Sequence, residues 1–307
     1  MTRKQLIAEL RRMGVTRVFN RPLSYCTRDE LEYVFNQVSS GEKPHLSFSQ
    51  ISLYQKCPRQ FYYRYIRGIK IPPPGSAVVG KATHKAIEVD LKTALKEGKH
   101  ESWSVIEDIY ALTFKEEKEK AVWDNEKPDE AFKQGRDVLK IYANKHLPKI
   151  EPETVEEKFE IPLPSLGSNL VGIIDLVDST KTIIEHKTTT RSYPESKISN
   201  AQLFIYAMVK NLKKIGFNVL VRRKNPTVQI LRGEVKEEDI YRTLADILHV
   251  ANCIYLLSFP PAQQGTWICS PKWCGYWEIC RSELQNEVKE LLEEEINYLK
   301  TYKTKEV

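Results

Sequence analysis

Apolar positions recur at helical spacing through the first half of the chain and at strand spacing in the stretch after residue 150. Lys4-Gln5-Leu6-Ile7-Ala8-Glu9-Leu10 is amphipathic over two turns, and Thr27-Arg28-Asp29-Glu30-Leu31 opens a second helix behind a threonine cap. Residues 1–40 therefore read as a small helical appendage, with Gly14-Val15-Thr16-Arg17 as its loop. Ser39-Ser40-Gly41-Glu42-Lys43-Pro44 is short and polar, with a glycine and a proline, and marks a module boundary. Ser49 caps a third helix in which Leu53, Cys57 and Phe61 repeat at helical spacing, and Pro72-Pro73-Pro74-Gly75 ends it. Gly80 to Tyr142, interrupted near Asn125 and Pro128, holds three or more further helices.

After Val155 the period shortens. Val155–Ile161, Leu170–Val177 and Thr182–Lys187 are short runs rich in β-branched residues, which predict three consecutive strands. Gln202–Val209 is helical again, and Val219-Leu220-Val221 with Val228-Gln229-Ile230-Leu231 predict a hairpin around Asn225-Pro226. The result is a mixed α/β core without internal repeats. The residues after Cys280 have the charge distribution of a solvated amphipathic helix, expected over 283–307.

Composition narrows the class without naming it. A chain of 307 residues, 41% hydrophobic and 29% charged, is long enough to bury a real core. No run approaches the uncharged apolar length of a membrane span and no secretory h-region follows Met1, so a cytoplasmic location is expected. A net charge of +6 helps hold a polyanion but does not identify one. Six cysteines in a reducing compartment point to metal ligation or plain burial rather than disulfides.

Asp175 lies near the end of one expected strand, and Glu185 and Lys187 lie two apart on the next, so their side chains share a face. Carboxylates converging in this way hold Mg²⁺ or Mn²⁺, which activate water and neutralise phosphate charge, while the ammonium orients the water. An exposed E-x-K strand pair is the bland alternative. The flanking Ile183-Ile184 and Ile173-Ile174 weigh against it, because they read as apolar on both faces, as in buried strands.

The set Gly172-Ile173-Ile174-Asp175, Ile183-Ile184-Glu185-His186-Lys187 and Gln202-x-x-x-Tyr206 resembles the RecB-like branch of the PD-(D/E)XK nuclease superfamily. The resemblance implies a restriction-endonuclease-like mixed central sheet flanked by helices, with a helical insert. Asp175 and Glu185 would then be metal ligands together with the backbone carbonyl of His186, and Lys187 the catalytic lysine. Gln202 and Tyr206 would face the active site and the DNA. Gly80-Lys81-Ala82-Thr83-His84 is similar to the family's G-x-x-x-H helix and makes His84 a further ligand. Glu157, with Glu156 and Glu160 as competitors, is a supporting acid on the preceding strand.

Cys57 stands far upstream of Cys269, Cys274 and Cys280. Four thiolates suit either tetrahedral Zn²⁺ or a cubane cluster, so the ligand count does not choose between them. The arrangement resembles the iron–sulfur subset of RecB-like nucleases, which includes the AddB nuclease domain and CRISPR-associated RecB-type exonucleases. It implies a 4Fe-4S cluster joining the two ends of a nuclease domain at 45–282. The chain departs from the common C-x-x-C-x5-C form, with Cys269 five residues before Cys274, which leaves the fourth ligand open. Cys26 and Cys253 read as buried bystanders.

The function expected is a DNA exonuclease on single-stranded or frayed ends in recombination, repair or phage replication. The alternatives are a DNA endonuclease, a DNA-binding or structural subunit of a recombination or adaptation complex with little activity of its own, and an α/β protein with a zinc clip.

Overall fold

The structure, a computed structural model, describes residues 1–15, 17–18, 21–39, 45–124, 126–163, 168–256 and 258–285. The linker residues 40–44 and the C-terminal stretch 286–307 lie outside the described residues, so the expected C-terminal helix is seen only as the helical residues up to Gln285. The chain divides into two compact units. One comprises the described residues of Met1–Lys43, Ser49–Ile71 and Val250–Val307, the other Pro44–Phe48 and Pro72–His249.

The first unit begins with helices α1 (Arg3–Arg12) and α2 (Arg28–Ser39), between which β1 (Arg17–Val18) and β2 (Arg21–Pro22) form a small ribbon. Thr2 and Gln5 cap α1 reciprocally, and Thr27 and Glu30 do the same for α2. Leu6, Leu10, Leu23 and Leu31 close a core around Cys26, whose burial there is that of a small apolar residue. Helix α3 (Phe48–Lys56) starts one residue before the expected Ser49 cap. It also stops short of Cys57, which is extended (φ −160°, ψ 102°) and caps a separate short helix, α4 (Pro58–Phe61). Pro58 enforces this break, since it lacks an N–H and is tolerated in the first helical turn. Phe61 and Tyr62 then pack against Phe259.

The second unit is a mixed six-stranded sheet with helices on both faces. Strands β3 (His45–Ser47), β4 (Pro152–Leu163), β5 (Ser168–Asp178), β6 (Thr182–Thr189), β7 (Lys214–Val221) and β8 (Thr227–Glu234) run in the order β3-β5-β6-β7-β8, with β4 paired to β5. The three consecutive strands and the hairpin are as the sequence pattern predicts, and β3 is an addition that three residues could not announce. Helices α5 (Gly75–Glu97), α6 (Trp103–Lys118) and α7 (Pro128–Lys145) precede β4. They bury Val79, Ala86, Tyr110 and Leu139 in one cluster with Leu176, Ile184 and Leu220 from one face of the sheet. Gly135 of α7 permits this contact, because a Cβ there would lie 2.6 Å from Val79 and 2.2 Å from the Tyr110 hydroxyl. Opposite this layer is α8 (Ala201–Lys210), the crossover that parallel β6 and β7 require. Helix α9 (Glu237–Tyr255) follows β8.

Burial on both faces fails at Ile173, which is 42% exposed, whereas Ile183 and Ile184 are fully buried. Strand β5 is shared unevenly. It pairs β3 at Asn169–Val171 and β6 only at Leu176 and Val177, so the β5–β6 ladder opens just beyond Leu176↔Ile184. The next positions along that register are Asp175 and Glu185.

Candidate functional site

The row of positions across the open ladder carries three acids. Val155↔Leu176 and Glu157↔Ile174 bracket Glu156 opposite Asp175, and Leu176↔Ile184 places Glu185 beyond Asp175 on the other side. Strand pairing is interrupted at this row, and the Asp175 carboxylate replaces it by accepting the backbone N–H of His186 at 2.9 Å. Glu156 has φ 52°, a left-handed conformation uncommon outside glycine and costly within a strand. That twist brings its carboxylate to His84 and Asp175, the three ligand atoms lying within 4.8 Å of one another. Glu157 instead holds Lys210 of α8 at 2.7 and 2.9 Å, so the acid of β4 that reaches His84 and Asp175 is Glu156, not Glu157.

His84, on the α5 segment after Gly80, donates from Nε2 to the His186 carbonyl at 2.7 Å, and its Nδ1 lies 3.7 Å from Asp175. Imidazole and carbonyl therefore point at one place. From the opposite side, Lys187 Nζ donates to Glu185 Oε1 at 2.7 Å and to Gln202 Oε1 at 3.3 Å. Gln202 Nε2 donates to the same Glu185 oxygen at 2.9 Å and to the Tyr206 hydroxyl at 2.8 Å. Asn200 caps α8 through the Gln202 N–H, which fixes where this side chain emerges. The one-turn spacing of Gln202 and Tyr206 puts both on the site face of α8. All seven nuclease residues expected from the sequence thus meet at the open ladder.

The site is electrostatically unsettled as it stands. Burial and then the charge of Asp175 push the Glu185 carboxyl up to about 7. Burial and Asp175 likewise raise Glu156. Burial raises Asp175 as well, but the His186 hydrogen bond and the nearby His84 and His186 rings bring it below the usual carboxylate range. Lys187 is raised above its ordinary value because Glu185 outweighs the burial that lowers it. Glu185 Oε2 is buried without a hydrogen-bond partner among the described residues. Crowded carboxylates and one orphaned oxygen are what a hard divalent cation would satisfy.

Two supports were not legible beforehand. Asn218 donates to the Tyr142 hydroxyl at 2.7 Å, so Tyr142 donates onward to His186 Nε2 at 2.9 Å and leaves the ring proton on Nδ1, 3.7 Å from Asp175. Arg232 fixes the Asn218 amide from below at 2.9 Å. Gly172 has the ring of Phe159 where a Cβ would be, 2.5 Å away, and that ring meets Tyr206 edge-on at 5.8 Å.

In the first unit, Cys57, Cys269, Cys274 and Cys280 line one hollow of about 380 Å³. Cys57 Sγ accepts the Ala262 N–H and Cys274 Sγ accepts from Gln60 Nε2, both at 3.3 Å. Burial raises the Cys274 and Cys280 thiols, with Arg59 opposing it at Cys280.

Acids on diverging strands, a lysine two residues past one of them and a glutamine on the crossover helix define a metal-dependent hydrolase site. The chain belongs to the PD-(D/E)XK nuclease superfamily, whose family model matches residues 45–281. Membership implies hydrolysis of phosphodiester bonds in DNA with divalent metals such as Mg²⁺ or Mn²⁺. No curated protein matches the chain. Among solved structures, an exonuclease candidate from Eubacterium rectale shares the fold at TM-score 0.52 and 10% identity, over 82% of this chain and 92% of that one. SSO0001 covers 91% of this chain and 95% of its own at 15% identity, with a TM-score of 0.35 too low to carry an argument. Among the described residues no helix is long and apolar enough to cross a membrane.

Proposed function

We propose that this chain is a RecB-like exonuclease of the iron–sulfur subset that hydrolyses DNA from free single-stranded or frayed ends, serving recombination, repair or phage replication. The observation that carries the catalytic part is the row Glu156, Asp175 and Glu185 at the open ladder, with Lys187 two residues past Glu185 on the same strand. Glu156, Asp175, Glu185, His84 and the His186 carbonyl are the residues that would hold Mg²⁺ or Mn²⁺. When bound, the metal supplies Lewis acidity toward the scissile phosphate and a lowered pKa for water. Lys187 orients the attacking water, and Gln202 holds Lys187 and Glu185 in register through one amide. Tyr206, its hydroxyl held by Gln202 and its ring by Phe159, anchors that amide beside Glu185.

Attack from an end rests on the resemblance and on the described neighbour, not on a lid. Helices α6 and α7, between His84 and Val155 in sequence, are packed into the layer under the sheet by their buried faces and are not free to close over the site.

The cysteines fit a cluster. Cys57, Cys269, Cys274 and Cys280 line one hollow, and four thiolates around one space suit a 4Fe-4S cluster, the group that the resemblance implies, as they also suit tetrahedral zinc. The N–H groups on Cys57 and Cys274 suit sulfurs that carry negative charge.

The deciding experiment digests end-labelled linear and closed circular single-stranded DNA with Mn²⁺, using the full chain and its Lys187→Ala variant. Loss of the linear substrate alone, abolished in the variant, is expected. Nicking of the circle would make the protein an endonuclease, and undiminished cleavage by Lys187→Ala would remove the site assignment.

A further inference from the structure

Tryptophan is rarely left in water, because its large ring gains more than most side chains from burial. Yet Trp267 and Trp273, on either side of Cys269 in the loop that carries the late cysteines, are 67% and 53% exposed. They do not collapse into the unit but lean on each other edge-to-face, ring centres 6.0 Å apart. Lys272 holds its ammonium 5.1 Å from the centre of the Trp273 ring. Beside Trp267 opens a hollow of about 440 Å³, walled by Pro58 and Pro261 and edged by Gln55, Gln263 and Lys56.

These features suit a nucleobase better than an apolar partner. Flat faces of tryptophan and proline accept a stacked ring, side-chain amides match the donors and acceptors of a base edge, and two lysines match phosphates. The amide and lysine edges favour a nucleic acid strand over an apolar protein face, and a duplex hides the base faces that tryptophan would stack on.

We propose that this loop is a stacking platform for single-stranded DNA. Trp267 and Trp273 take bases, Gln55 and Gln263 line the hollow beside them, and Lys56 and Lys272 meet the backbone. The cysteine site then has a second consequence, holding a strand-binding surface in shape. The inference rests on the nuclease reading for the identity of the strand, but none of its residues belongs to the hydrolytic site.

The test titrates the full-length protein, in EDTA, into a fluorescein-labelled oligothymidine of about 20 nucleotides and reads anisotropy. Trp267→Ala is expected to weaken binding about tenfold or more, and Trp267→Phe to retain most of it. Lys272→Ala is expected to lower the slope of log K against log salt by somewhat less than about 1. Retained iron and an unchanged far-ultraviolet circular dichroism spectrum exclude a fold defect. Equal affinity of Trp267→Ala and wild type overturns the platform, as does an equal loss on duplex and single strand. A patch that serves a protein leaves DNA affinity unchanged and so counts against it. Cleavage distinguishes the two readings. If wild type cleaves with Mn²⁺ while Trp267→Ala binds and cleaves alike, the platform fails alone. If wild type never cleaves but Trp267→Ala binds more weakly, the hydrolytic reading fails alone.

Discussion

Metal binding at the open ladder should be coupled to a proton on Glu185. In the metal-free protein this carboxyl titrates at about 7, against an ordinary 4.5, because it is buried and faces Asp175. Each unit corresponds to about 1.4 kcal/mol, so the displacement of roughly 2.5 units is on the order of 3 kcal/mol. Between pH 4.5 and 7 the folded state keeps a proton that the unfolded chain releases, so the stability of the metal-free protein falls as pH rises through that window and levels above it. A divalent cation needs the ionised form and must expel that proton below pH 7. Apparent Mn²⁺ affinity should therefore rise about tenfold per pH unit up to 7, or roughly thirtyfold from pH 5.5, and then flatten. Glu156, also raised, adds to the proton count in the same direction. Isothermal titration of Mn²⁺ in buffers of different ionisation enthalpy reads both quantities, with at least about one proton released per ion at pH 5.5 and little at pH 8. Glu185→Gln should bind weakly and with a shallower slope. Affinity that is flat from pH 5.5 to 7, or a slope undiminished in Glu185→Gln, would refute the reasoning.

Glu156→Ala should lower Mn²⁺ affinity and cleavage at least tenfold, while Glu157→Ala, which frees only Lys210, should leave Mn²⁺ binding unchanged; titration of both variants decides between them. Glu126→Ala should cost about 3 kcal/mol in urea unfolding, since it strands the fully buried Arg222 that it binds through both oxygens, and a loss under about 1 kcal/mol would show that water replaces it. Gly172→Ala should destabilise by about 1–3 kcal/mol and slow cleavage, because the new methyl displaces Phe159 and with it Tyr206; an unshifted urea midpoint would contradict this. Cys57→Ala should lose iron and colour after anaerobic purification and Cys26→Ala should keep both, as iron analysis would establish.

What could be read in advance was what short-range spacing encodes. Glu185 and Lys187 share a face because strands alternate, and Gln202 and Tyr206 share one because a helical turn is near four residues. Short runs rich in β-branched residues separated β4, β5 and β6 from the helices before them. Glu156 was ambiguous for the complementary reason: alternation does not say which of two neighbouring acids faces the site, and a positive φ suspends alternation where it matters. Cys57 was misplaced in a continuous helix because the apolar repeat runs through Pro58, whose missing N–H overrides it. Tyr142 and Asn218 carried no local signal, being 44 residues before His186 and 76 residues from each other, so only the packed fold joins them.

The hydrogen-bonded string from Arg232 through Asn218 and Tyr142 to His186 has a bearing on genetics. Arg232 lies on β8, a strand that contributes no side chain to the hydrolytic site, yet it sets the amide that sets the hydroxyl that sets the imidazole beside Asp175. A blind screen for alleles that cannot degrade DNA should therefore return hits at residues 142, 218 and 232 alongside the acids themselves. Scored by phenotype alone, such alleles would be indistinguishable from active-site lesions, and a map of them would run along one face of the sheet from β6 across β7 to β8.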